Sequence, residues 1–157
     1  MGLIQLILPN AKIVDVRRHP LACGFSCYKQ DFALGAMHLA CDQTHIGRYY
    51  RDYAALMAHY DKVLPGRVHR MIHEEFLADP QGEIRRLLEF CGLPFEEQCL
   101  HFHETDRIVR TASSQQVRQP IQIKKVEVWQ HYETWLQPMK DALGDVLTSY
   151  PDVPKLD

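Results

Sequence analysis

The chain has 157 residues, of which 46% are hydrophobic and 24% charged, enough for one domain with a real core and too little for two full-sized ones. Lys and Arg number 18 against 20 Asp and Glu, a net charge of −2, so no chain-wide field draws nucleic acid or anionic lipid and any anion site has to be local. No apolar run approaches the ~20 residues that span a bilayer, which excludes a membrane-spanning helix.

Residues 1–9 lack the basic stretch and small-residue cleavage site of a signal peptide, which points to the cytoplasm. Leu6 stands where a myristoylation signal starting at Gly2 needs Ser or Thr. Residues 12–17 alternate and are rich in β-branched side chains, the pattern of a short strand. Pro20 then presets the first helical turn, and a helix is predicted over 21–32. Residues 33–45 read as irregular. From Ile46 to Leu64 apolar and tyrosine side chains recur at helical spacing until Pro65-Gly66 stops them. Strand-like alternation resumes over 67–72, so strand, helical crossover and strand predict a βαβ unit with parallel pairing and an α/β fold. Asp79-Pro80 offers a cap and a first turn for a helix whose apolar face is Ile84, Leu87, Leu88 and Cys91, closed by Gly92. A short helix is expected near 96–102, a long ordered loop or flap over 104–125, and a helix from Trp129 through Leu147.

Five cysteines without CxxC spacing cannot complete a disulfide framework within one chain and read as reduced thiols. Cys23 and Cys27 can share a helical face, and buried structural thiols outweigh a redox pair there. Cys99, His101 and His103 would converge only on a strand, and no HExxH or paired CxxC pattern completes a zinc set, so no metal site is assigned. No GxSxG elbow supports a hydrolase. The tyrosine-rich helix carries no basic stripe and reads as core and rim packing rather than as a base-stacking surface. By position alone, Arg17 and Arg18 are solvated charges at a strand end.

Residues 16–20, Val-Arg-Arg-His-Pro, followed by Ser26-Cys27-Tyr28, resemble the phosphonucleotide-binding segment of sulfotransferases. The similarity continues in order and spacing through 47–53, 64–68, 77–80 and 87–94, and the most specific stretch is 110–121, similar to a late cofactor-binding loop. The relatives it resembles are the bacterial sulfotransferases associated with tetratricopeptide repeats and akin to tyrosylprotein sulfotransferases. That resemblance implies a fold related to P-loop kinases, with a short parallel sheet and abundant helices. It implies transfer of a sulfuryl group from 3′-phosphoadenosine 5′-phosphosulfate (PAPS) to a hydroxyl or amine, and binding of the product 3′-phosphoadenosine 5′-phosphate (PAP). It assigns the 3′-phosphate to Arg18 and Ser26, a cofactor contact to Ser113 or Ser114, and nearby cations to Arg118, Lys124 and Lys125. An arginine fork and a neighbouring hydroxyl are the donors such a phosphate needs.

Three departures accompany it. His19 stands where the family often has Asp, His73 where relatives usually place a tyrosine near the nucleotide, and Val128 where many carry Lys or Arg. The family's first strand, its phosphosulfate loop and its catalytic base have no counterpart within residues 1–157, so the expectation is one incomplete domain with no catalytic residue of its own. Two outcomes follow for such a domain. It retains the 3′-phosphate half-site and relies on an upstream segment, or it is a non-catalytic interaction module whose uncovered sheet edge favours a homodimer.

Overall fold

The computed structural model of the chain describes residues 1–30, 38–104, 108, 117–120 and 128–152. Its centre is a two-stranded parallel sheet of β1 (Ile13–Arg17) and β2 (Val68–Ile72). Ile13 pairs with Val68, Asp15 with Arg70 and Arg17 with Ile72. Between the strands run α2 (Pro20–Tyr28), a 3-10 turn His38–Cys41 and the long helix α3 (Gln43–Val63), so the βαβ unit and the α/β class read from the sequence are present. A short helix, α1 (Gly2–Ile7), precedes β1, and α4 (His73–Ala78) leaves β2 directly. Then follow α5 (Pro80–Cys91), two 3-10 turns, a 3-10 segment Val128–Leu136, α6 (Gln137–Leu143) and α7 (Asp145–Ser149).

Local chemistry sets the ends of these helices. Asp42 caps α3 by accepting the His45 N–H at 2.8 Å, and Asp79 caps α5 by accepting the Gly82 N–H at 2.9 Å with Pro80 in the first turn. Gly92 closes α5 at φ +73°, and the Leu93 N–H returns to the Leu88 carbonyl. A side chain is disfavoured at that left-handed position, which is why glycine stands there.

The core is the meeting of α2, α3 and α6. Leu21, Leu136, Met139 and Leu143 are fully buried, with Phe25, Ile46, Tyr50, Trp129 and Leu147 packed around them. Helices α3 and α6 approach closely at Gly47, where a Cβ would stand 2.7 Å from Ala142 Cβ and 2.8 Å from the Met139 carbonyl oxygen.

Side chains alternate across a strand, and β1 divides by charge. Asp15 and Arg17 face α3 and are buried, while Val14 and Val16 point to the other face and Val16 is 63% exposed. The Arg17 guanidinium lies 3.1 Å from Asp15 Oδ2 and donates to the Tyr53 hydroxyl and the Pro151 carbonyl, both at 3.4 Å. Arg70 Nε reaches the same Asp15 oxygen at 3.2 Å and its NH2 reaches Asp61 at 2.8 Å, and the Tyr53 hydroxyl donates to the second Asp15 oxygen. The reading of Arg17 as a solvated strand-end charge is therefore corrected. At 2% exposure it is a structural ion, and burial is tolerated because the Asp15 carboxylate and two further oxygen acceptors, the Tyr53 hydroxyl and the Pro151 carbonyl, surround it.

Candidate functional site

In open α/β folds ligands bind beyond the carboxyl ends of parallel strands. Here those ends are Arg17 and Ile72, which are paired, so the next residues, Arg18 and His73, leave the sheet side by side. His19 and Glu74 follow one position further. Helix α2 begins at Pro20 against this edge, with the Cys23 N–H bonded to the His19 carbonyl.

The peptide that carries Arg18 is held from several sides. The Tyr50 hydroxyl, from α3, donates to the Arg18 carbonyl at 2.8 Å. The Glu74 carboxylate, from α4, accepts the His19 N–H at 3.0 Å and also accepts the Tyr150 hydroxyl from beyond α7. The His19 ring lies flat on Trp129, with centroids 4.9 Å apart and an interplanar angle of 7°, and meets Tyr150 edge-on at 5.4 Å. Four segments distant in sequence thus converge on one turn.

Electrostatics at this edge follow from burial and from Arg18. Burial lowers the His73 pKa below the ordinary histidine value, and the positive charge of Arg18 lowers it further, against a smaller opposing effect of Glu74. Burial pushes the Glu74 carboxyl up, but the Tyr150 hydroxyl, two backbone N–H donors and His73 together hold it below the usual carboxylate range. Burial also raises the Tyr50 hydroxyl, and burial followed by the bond to Glu74 raises Tyr150. One turn into α2, Cys23 is held protonated by its bond to Cys27 and by burial, and the same bond brings Cys27 down to about 7.

Of the residues singled out in the sequence, Arg18 and His73 are brought together. Ser26 lies three positions beyond Cys23 on one face of α2 and is exposed. Arg118 is exposed in the short segment 117–120. Ser113, Ser114, Lys124 and Lys125 lie outside the described residues. All five cysteines are free thiols, and among the described residues no three His, Cys, Asp or Glu side chains gather as a metal set. No described helix is long and apolar enough to cross a membrane. Sequence reasoning missed Glu74, Tyr50, Trp129 and Tyr150. Extending the strand register by two residues would have placed Glu74 opposite His19, but nothing local marks the other three.

This arrangement, a parallel strand ending in Arg18 against a helix N-terminus and a second strand end, defines an α/β domain with an arginine at the carboxyl edge of its sheet. A family model described as "Sulfotransferase family" matches residues 1–97, and the chain belongs to that family. It is 40% identical over 147 residues to an uncharacterized protein of Aquifex aeolicus (strain VF5), covering 92% of this chain and 19% of that protein. It is 23% identical over 131 residues to a putative protein-tyrosine sulfotransferase of Caenorhabditis briggsae, covering 80% of this chain and 46% of that protein. The chain thus spans about a fifth of one curated relative and under half of the other.

Proposed function

We propose that the chain forms the 3′-phosphate half of a PAPS site in a protein that transfers a sulfuryl group to a hydroxyl or amine acceptor. One observation carries the reading: paired strands deliver Arg18 and His73 side by side at the carboxyl edge of the sheet, next to the start of α2. An arginine fork there can grip a phosphate through two charge-assisted hydrogen bonds, and the first amides of α2 add positive potential. Family membership supports a nucleotide cosubstrate. The resemblance to tyrosylprotein sulfotransferases is supported by the C. briggsae relative and makes a tyrosine hydroxyl the first acceptor to try. Ser26, Arg118 and the segment from 110 to 125 belong to the same proposal as further contacts to the nucleotide.

The test is calorimetric titration with PAP and, in parallel, with adenosine 5′-phosphate, which lacks the 3′-phosphate. Wild-type protein should prefer PAP, and Arg18→Ala should lose about 1.5–3 kcal/mol of that binding, the scale of hydrogen bonds to a charged group. Equal affinity for the two nucleotides, or an Arg18→Ala variant that binds PAP as tightly as wild type, would remove the assignment.

A further inference from the structure

Resting on the nucleotide reading above, we propose that His73 engages the anion in its protonated form, so that capture of a phosphate at Arg18 takes up a proton from solvent.

The geometry is that of two neighbouring strand ends. Arg17 pairs with Ile72, which sets His73 beside Arg18, and His73 is half-buried at the first position of α4. Its Nδ1 is shut off from solvent and has no hydrogen-bond partner among the described residues. A buried ring nitrogen without a partner is costly unless a ligand supplies one.

The charges around the ring determine its protonation. Arg18 from the end of β1 opposes a second positive charge, and Glu74, next along α4, favours one more weakly. Glu74 is itself engaged by the His19 N–H and Tyr150, and Arg18 is flanked by Cys23 from α2 and by the Tyr50 hydroxyl from α3. Helix α5 packs against α4 and β2 and brings Glu83 and Arg86, which pair with each other, and Arg86 acts on His69. In the free protein burial and Arg18 together outweigh Glu74, so the imidazole is held in its neutral form. A phosphate dianion on Arg18 would set a negative charge against the ring in place of a bare positive one. An opposite charge within ~4–6 Å favours the charged form of a titrating group, so the imidazole gains a proton and its ring becomes a donor to the anion. No bond is made or broken beyond the transfer of one proton from solvent to a ring nitrogen.

Each unit by which the bound phosphate raises the imidazole pKa is a tenfold gain in affinity at acid pH over alkaline pH. The phosphate works in the opposite direction, because its own second ionisation near pH ~6 supplies more dianion as pH rises. A comparison with His73→Gln, which keeps a polar side chain and cannot titrate, separates the two.

The experiment is titration of the intact chain with PAP at pH 6, 7 and 8, repeated at pH 7 in buffers of different ionisation enthalpy to count protons. Wild type should show an affinity ratio between pH 6 and pH 8 about tenfold larger than His73→Gln. It should also take up a larger fraction of a proton per PAP bound. The proton count on unmodified protein stands even if His73→Gln folds poorly, because net uptake at pH 7 is opposite to the release that the phosphate alone would give. Binding with equal pH dependence in the two proteins, or net proton release by wild type, overturns this inference and leaves the site assignment standing. Failure to bind PAP at any pH overturns both.

Discussion

Replacing Asp15 by Ala should be among the most damaging single changes in this domain, and the size of the loss can be worked from the contacts. The substitution removes the acceptor of Arg17, Arg70 and the Tyr53 hydroxyl at once. Arg70 keeps Asp61 at 2.8 Å and is a quarter exposed, so its loss is minor. Arg17 is different: its guanidinium, 1% exposed, would retain only the two 3.4 Å bonds to Tyr53 and Pro151. Removing one partner of a buried ion pair costs about 3–5 kcal/mol, because the remaining charge stays desolvated. With a urea slope of roughly 2 kcal/mol per molar, that is a midpoint lowered by about 2 M in denaturation followed by circular dichroism. Arg70→Ala serves as the control and should cost roughly 1 kcal/mol. Replacing both members, Asp15→Leu with Arg17→Met, should recover most of the loss, since an apolar pair of similar volume is often as stable as the ions it replaces. An Asp15→Ala midpoint within about 0.5 M of wild type would refute the structural role given to Arg17.

Two further changes are expected. Gly47→Ala should destabilise by about 1–3 kcal/mol in the same assay, despite the helix propensity gained, because its Cβ meets the α6 backbone. Gly24→Ala should cost less, since the atoms in its way, the Met139 thioether and Ile46 Cγ2, belong to side chains rather than to backbone, and equal costs would contradict that distinction. Stability should fall as pH drops below about 6.5, the ordinary histidine value. His69 and His73 have lowered pKa values in the fold, so the unfolded chain binds more protons in that window and is favoured by acid. A second loss belongs below the ordinary glutamate value of about 4.3, where the lowered Glu74 carboxyl finally protonates and releases Tyr150 and the His19 N–H. Melting temperatures that are flat from pH 7 to 5 would contradict the first part, and a Glu74→Gln variant as acid-sensitive as wild type the second.

Much of the framework is legible in the residues. The two strands, the helix over 46–64 and the Asp79-capped, Gly92-terminated helix are written in alternation, period and caps, and each lies within a few residues of its expected place. What the alternation of β1 does not say is which face goes inward. Valines alternate with Asp15 and Arg17, and here the charged face is the buried one. That inversion depends on Tyr53, Arg70 and Asp61, none of them near β1 in sequence, so no local rule could supply it. Helices α1 and α4 have six residues each and too few turns to establish a period. The helix expected from Trp129 begins instead as a 3-10 segment, where His19 stacks on Trp129 and Phe25 on Tyr132. Of the candidate site, Arg18 and His73 were legible through the resemblance, whereas the carboxylate, the tyrosines and the tryptophan that hold their peptide come together only through tertiary packing.

The centre of the core has a consequence for how the chain is made. Leu136, Met139 and Leu143 lie beyond the stretch matched by the family model, yet they cover Leu21 and close against Gly47. During synthesis from the amino terminus, Leu21 on α2 emerges more than a hundred residues, and Ile46 on α3 about ninety, before the partner that buries them. Such long-range closure slows folding and prolongs exposure of apolar surface. The sheet and its flanking helices therefore gain a covered core only when the segment from Val128 to Ser149 has docked.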